Sequence, residues 1–509
     1  MRHRSFSSFP IKTMQHFTKS QDYEACIEAL NSLQTNAQYI KAKTTTSGDD
    51  NHNGDQLFQV RKYLNRAGLS LDKLDELSVI HVAGTKGKGT TCAFSEKILR
   101  EHGYRTGFFS SPHLIEVRER IRINGVPIGK ADFVKYFWKI YSALDQQKSD
   151  NHDMPLYFRF LTIMAFFVFL EKKVDVAIIE VGIGGEFDCT NVLRKVPVIG
   201  ITSLGIDHVK LLGPTIEKIA WNKGGIMKEG CRAFTVPQPE TAMKTLKERS
   251  IEKKCQLEVI ENSDIKFTPN TSSCPPHILN LNVSLAVALC RAWLAIKHNN
   301  NLTQSMSNEI TERALHNCRW PGRFQVKHDR TISYYLDGAH TLESIIICAS
   351  WFKDITKHSK RKKALMFNVT GDRNAEKLLK QLQSCEFDTI LFVTNVATPI
   401  KALSNSGELV VLKHYRVTAG ERVLSFSIPD NTYFKSIDEL LQKCSFHKQL
   451  WLKIEGRKEA EICETFPTVE QGITFLSNRE EYDLLVTGSV QLIGSLLSII
   501  DPHLNDYSW

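Results

Sequence analysis

The chain has 509 residues, too long for one hydrophobic core, so two domains are expected. Its 42% hydrophobic and 24% charged content is that of a water-soluble globular protein; no apolar run reaches membrane-spanning length, the nearest being Leu156 to Leu170, which carries Arg159. The net charge of +9 suits anionic small molecules without arguing for nucleic acid, and 12 scattered cysteines with no C-x-x-C pair argue against a metal cluster or disulfide framework and for a reducing compartment.

Residues 1–20 lack Asp and Glu but carry Arg2, Arg4, Lys12 and Lys19, the composition of a mitochondrial transit peptide or of a disordered N-terminus. Met14 is a second start that would remove Arg2, Arg4 and Lys12, so mitochondrial and cytoplasmic forms are both expected. Tyr23 to Leu33 reads as helix and Lys43 to Asp55 as a polar loop. Strand-like runs follow at Leu77–Ala83, Thr106–Ser110, Val174–Val181 and Val196–Ser203, alternating with helix-like runs at Thr91–Arg100, Ala131–Leu144, Tyr157–Leu170 and Thr215–Met227. This alternation predicts an α/β fold with a mostly parallel sheet covered on both faces. A helix is expected over Val283–Ile296. The pattern restarts near Arg319, with strands at Thr331–Leu336, Ala364–Thr370, Phe387–Thr394 and Asp483–Thr487 and helices at Ala375–Gln383 and Val490–Ile500. The expected organisation is a leader over 1–20, a larger N-terminal α/β domain over 21–320 and a smaller α/β domain over 321–509. Pro399–Phe434 and Phe446–Thr468 show no clear period.

The stretch Gly84-Thr85-Lys86-Gly87-Lys88-Gly89-Thr90-Thr91 lies between a strand-like and a helix-like run. Such a loop aims backbone N–H groups and a helix N-terminus at an anion. Lys88 would add a point charge at the outer phosphates of a nucleoside triphosphate, and Thr90 a hydroxyl for Mg²⁺. One extra glycine separates Lys88 from Thr90 relative to the common phosphate loop. Glu180 ends a buried strand beside Gly182, Gly184 and Gly185, where it could reach a metal at the neighbouring loop. His208, after Asp207 and another strand, could be a metal ligand through a neutral imidazole. Asp337 and His340 end a strand at the start of the second domain, and Arg323 could fork a phosphate there. Lys223 shows nothing locally that sets it apart from a surface lysine.

Together these segments resemble folylpolyglutamate synthases, in the Mur ligase superfamily, and the eukaryotic branch in particular. The resemblance rests on IHVAGTKGKGTTCAF, TGFFSSPHLIEVRERIRING, YFRFLT, EVGIGGEFDCTN, SLGIDHVKLLGPTIEKIAWNKGGI, WPGRFQ, LDGAH, FNVTGDR and LLVTGS, and spans about Leu30 to Ser489. It implies a phosphate-loop, Mur-ligase-like ATP-binding domain with a smaller Rossmann-like C-terminal α/β domain. The implied reaction is ATP-dependent addition of L-glutamate to the γ-carboxyl of a reduced folate or its polyglutamate tail, through an acyl phosphate. By resemblance, Gly84, Thr85, Lys86, Gly87, Lys88, Gly89 and Thr90 hold the phosphates, and Thr90, Ser111, Glu180 and His208 hold Mg²⁺, as one ion or two. A monovalent cation such as K⁺ is a further expectation. Lys223 matches a carbamylated lysine, Arg323 and Asp337 match nucleotide contacts with His340 beside them, and Asn282 matches an adenine-side asparagine. The family implies a monomer. The His-Gln pair that precedes the Asn282 segment elsewhere in the family is missing, with His277 out of register by one. Dihydrofolate synthase, alone or in a bifunctional enzyme, is the nearest alternative. A GTPase switch would need an N-K-x-D motif, and Asn222-Lys223-Gly224-Gly225 lacks the Asp.

Overall fold

Short runs of Val, Ile and Phe form strands buried at every position, the mark of sheets covered on both faces. The first sheet consists of β1 (Val79–Ala83), β2 (Thr106–Phe109), β3 (Ile121–Ile123), β4 (Val126–Pro127), β5 (Val176–Glu180), β6 (Val198–Ile201), β7 (Arg232–Thr235) and β8 (Gln256–Val259), and burial is complete only in the central β1, β2, β5 and β6. The order is β4-β3-β2-β5-β1-β6-β7-β8, parallel from β2 to β8, with β3 and β4 an antiparallel edge. The structure, a computed structural model, describes residues 22–33, 52–150, 153–261, 276–299, 306–370, 373–398, 401–403, 409–411, 414–415, 435–456 and 462–504.

The second sheet contains β9 (Gln325–His328), β10 (Ile332–Leu336), β11 (Lys362–Phe367) and β12 (Thr389–Val393). Two short antiparallel pairs follow, β13 (Lys401–Leu403) with β14 (Leu409–Val411) and β15 (His414–Tyr415) with β16 (Lys435–Ser436). With β17 (Ile462–Phe466) and β18 (Tyr482–Thr487) the sheet order is β17-β12-β11-β18-β10-β9, and only β9 runs antiparallel. Each sheet carries an apolar cluster on either face.

One segment of the first unit is built into the second. Glu119 accepts hydrogen bonds from the backbone N–H groups of Leu114, Ile115 and Glu116 at 2.9, 2.8 and 2.7 Å, which fixes the turn after Ser111-Pro112. Leu114, thus held out, joins the cluster of Leu336, Leu492 and Ile493. Gly494 leaves room for it, since a Cβ there would strike the Leu114 carbonyl.

Three expectations change. The polar loop expected over 43–55 gives way to a helix at its end: His52–Arg66 is helical, because Val60, Tyr63 and Leu64 form a buried stripe that carries the helix back through polar residues. Residues 43–51, the expected leader over 1–20 and Met14 lie outside the described residues. The expectation of no spanning-length apolar run also fails, since Leu279–Lys297 is long and apolar enough by length and composition. It is a core helix all the same, mostly buried, with Val283, Ala286, Leu289, Cys290 and Trp293 packed against the helix that follows the glycine loop and against β6 and β7. Third, the stretch without a clear period contains the end of the helix Ile437–Leu452 and strand β17. Its buried stripe, Cys444, His447 and Trp451, includes a histidine, which hides the apolar period.

Candidate active site

The central strand β1 delivers the chain to Gly84, whose φ of +147° no residue with a side chain adopts readily. Gly87 caps the helix Lys88–Glu101 in the left-handed region, and a Cβ there would collide with the Asn282 carboxamide. The two glycines let the loop fold tightly, and the helix starts with its free N–H groups at the carboxyl edge of the sheet. Thr85 and Lys86 donate their backbone N–H to the Ser203 carbonyl at 3.0 and 3.1 Å, tying the loop to the end of β6.

Two lysines meet at this turn. Lys88 Nζ and Lys223 Nζ both donate to the Gly84 carbonyl, at 3.0 and 2.8 Å. Lys223 comes from the helix Ile216–Gly224 and is 4% exposed. Burial, then repulsion from Lys88, hold its amine well below the usual lysine range, against the pull of Asp207 and Asp188. A neutral amine is the form that reacts with CO₂ to give a carbamate. Lys86 is pushed down to about 8 by burial, with Asp207 opposing from 3.8 Å.

Glu180 ends β5 in register with Val82, so its carboxylate stands beside the glycine loop. It is 5% exposed, and its Oε2 accepts the Ser111 N–H at 3.0 Å. Burial raises its pKa, while Lys88, Ser111 N–H, Arg323 and Arg120 favour the charged form. His208 caps a short turn in the left-handed region (φ +52°), and partial desolvation of its half-exposed ring keeps the imidazole more neutral than usual despite Asp207 at 3.9 Å. Carboxylate and hydroxyl oxygens from Glu180, Ser111 and Thr90 are hard donors suited to Mg²⁺. Among the described residues no three His, Cys, Asp or Glu side chains cluster closely enough to hold a metal by themselves.

From the second sheet, Asp337 at the end of β10 accepts the Phe324 N–H at 3.0 Å and is raised by burial, with Arg323 opposing. His340 donates from Nδ1 to the Gly338 carbonyl at 2.8 Å, leaving Nε2 as an acceptor. Burial, aided by Lys86, pushes it down to about 3. Asn282, 7% exposed, lies against Gly87 and accepts the Thr91 hydroxyl at 3.4 Å. The glycine loop, Ser111, Glu180, His208, Asn282, Arg323, Asp337 and His340 line one cleft of about 1550 Å³, bounded by both sheets. Lys223 stands behind the loop. No motif singles out three other residues at this cleft, Arg120, Trp320 and Arg373. Their available signal was position: Arg120 follows Ser111 closely, Trp320 precedes Pro321-Gly322, and Arg373 ends FNVTGDR.

A phosphate-type loop facing a second α/β unit across a shared cleft defines the class: a two-domain α/β protein with the Mur ligase fold. No family model matches the chain. A folylpolyglutamate synthase structure from Mycobacterium tuberculosis, complexed with ADP and AMPPCP, superposes with a TM-score of 0.68 at 21% identity, over 94% of this chain and 99% of that one. The mitochondrial folylpolyglutamate synthase of Homo sapiens is 37% identical over 99% of this chain and 95% of its own length. That of Saccharomyces cerevisiae is 37% identical over 94% and 87%. The chain belongs to the folylpolyglutamate synthase family, ligases that add glutamate to folates with ATP.

Proposed function

We propose that the chain joins L-glutamate to the γ-carboxyl of tetrahydrofolate and of its polyglutamates, forming ADP and phosphate. The observation that carries this reading is the cleft itself, where the glycine loop with Lys88 and buried Glu180 face Arg323 and His340 of the second unit, with Lys223 held behind the loop on the Gly84 carbonyl. The acceptor carboxylate takes the terminal phosphoryl group of ATP to become an acyl phosphate; the glutamate amine then attacks the acyl carbon and phosphate leaves. Loop N–H groups, the helix N-terminus, Lys88 and Arg323 neutralise the phosphates. Neutral His340 offers Nε2 as an acceptor to the incoming amine. Asn282 takes the adenine side of the nucleotide, and Asp337 braces the Arg323 loop.

Thr90, Ser111, Glu180 and His208 would hold Mg²⁺, which would supply positive charge to the transferring phosphoryl group. Carbamylation of Lys223 would consume CO₂, release a proton and create an anion near that ion. A second Mg²⁺ and a K⁺ belong to the same reading. The chain would act as a monomer, with domains over 21–320 and 321–509. Relatives named mitochondrial support a mitochondrial form with a leader over 1–20, and Met14 would start a cytoplasmic one.

The test is incorporation of labelled L-glutamate by the purified protein with ATP and Mg²⁺, offered tetrahydrofolate and dihydropteroate in parallel. Stepwise addition to tetrahydrofolate alone is expected. Addition to dihydropteroate would make it a dihydrofolate synthase or bifunctional enzyme, and incorporation into neither would refute the ligase reading.

A further inference from the structure

A glutamate-tailed acceptor carries two carboxylates on its terminal residue, α and γ, of nearly equal chemistry. A ligase that uses one must anchor the other. Arg120 has the setting for such an anchor. It lines the cleft yet is only 8% exposed, at the end of the turn that begins at Ser111. Its Nε donates to His113 Nδ1 at 2.9 Å, and its guanidinium lies 5.4 Å from the centre of the Tyr157 ring.

Its neighbours in sequence are occupied differently. Arg118 pairs with Glu116 at 2.6 Å, and Arg122 lies over the rings of Trp320 and Phe108 with Nε on the Glu119 carbonyl. The two terminal amino groups of Arg120 make no hydrogen bond among the described residues. Burying a guanidinium without a carboxylate partner is costly, and its planar fork matches a carboxylate with two parallel bonds. The charge also has direction: Arg120 is near enough to favour the charged form of Glu180 on one side, and it abuts Tyr157 on the other. It shares the cleft with the glycine loop and with the rings of Tyr157, Phe158 and Phe187.

Resting on the ligase reading above, we propose that Arg120 binds the α-carboxylate of the acceptor's terminal glutamate, so that the γ-carboxyl alone is presented for activation. Arg120 is thus a specificity-determining residue, and His113 positions it.

The test compares two acceptors, tetrahydrofolate and its analogue with the α-carboxylate replaced by a carboxamide, in wild type and Arg120→Ala. Loss of a charge-assisted fork is expected to raise the wild-type KM for the carboxamide by about 10- to 100-fold. Arg120→Ala should bring tetrahydrofolate to the same poor KM, with the ratio between acceptors within about 3-fold of one and the KM for ATP shifted less than about 3-fold. A variant that keeps the wild-type ratio overturns the proposal, as does an ATP KM that rises as much as the folate KM, since that marks damage to the phosphate end. If Arg120→Ala melts at low temperature, Arg120→Lys keeps charge but loses the fork, and an unchanged ratio there is equally decisive. Should wild type add glutamate to neither acceptor, the ligase reading fails by itself. The Kd values of the two acceptors for wild type and Arg120→Lys, from fluorescence quenching, then carry the same ratio.

Discussion

Lys88→Ala separates catalysis from folding at this site. Among the described residues the Lys88 side chain makes one hydrogen bond, to the Gly84 carbonyl, and that carbonyl keeps a second donor in Lys223. Removing Lys88 therefore leaves no buried acceptor unpaired, and the cost to stability should stay near about 1 kcal/mol. The electrostatic cost is larger. Lys88 is foremost among the groups that favour the charged form of buried Glu180, and it is the cation that most depresses Lys223. Without it Glu180 is harder to ionise and Lys223 protonates more readily, so both groups move away from the states the chemistry needs. A donor aimed at developing charge in a water-poor site is worth about 2.7–4 kcal/mol, so kcat should fall by about 100- to 1,000-fold. The assay is labelled glutamate incorporation at saturating ATP, with thermal melting alongside. A variant that melts within a few degrees of wild type and retains more than about a tenth of its kcat would refute the phosphate-loop assignment.

Gly87→Ala forces a side chain into the left-handed region and against Asn282, so affinity for ADP, read by titration calorimetry, should drop at least about 10-fold; unchanged affinity would show that the loop does not hold phosphates. Glu180→Gln should raise the Mg²⁺ concentration needed for half-maximal rate, with excess Mg²⁺ restoring activity only partly; an identical Mg²⁺ profile removes Glu180 from the metal site. His81 is buried at β1 beside Thr190 at 2.8 Å, and burial, with Lys228, pushes it down to about 3. Below its ordinary value of 6.5 the unfolded chain binds a proton that the folded one refuses, so stability falls as pH drops from 6.5 toward 3, by about 1.4 kcal/mol per unit, and is unaffected above 7. In urea melts at pH 7, 6 and 5, His81→Gln should flatten the slope by about that amount, leaving the share of buried His340 and His447; an unchanged slope would place the acid sensitivity elsewhere.

The sequence alone determined what is local. Alternating apolar runs set strands and helices because burial on two faces demands them, and the glycines at 84 and 87 announced a turn that only they can make. Glu180, His208 and Asp337 were legible because each follows a strand-like run, and carboxyl ends of parallel strands share one edge. The helix His52–Arg66 was lost to its polar first turn, and Cys444, His447 and Trp451 to a polar member of a buried stripe.

Only the tertiary structure decided what depends on distant partners. Lys223 looks like any lysine in IAWNKGG, yet the order of β1, β5 and β6 brings it to a carbonyl 139 positions away and strips its water. Leu114 looks like a turn residue, yet it completes the apolar core of the other unit. Arg120 is one of three nearby arginines, and what sets it apart is a buried guanidinium whose terminal amino groups make no hydrogen bond among the described residues. Periodicity and turn chemistry act over a few residues, whereas desolvation and charge coupling are set by whichever segments the strand order packs together.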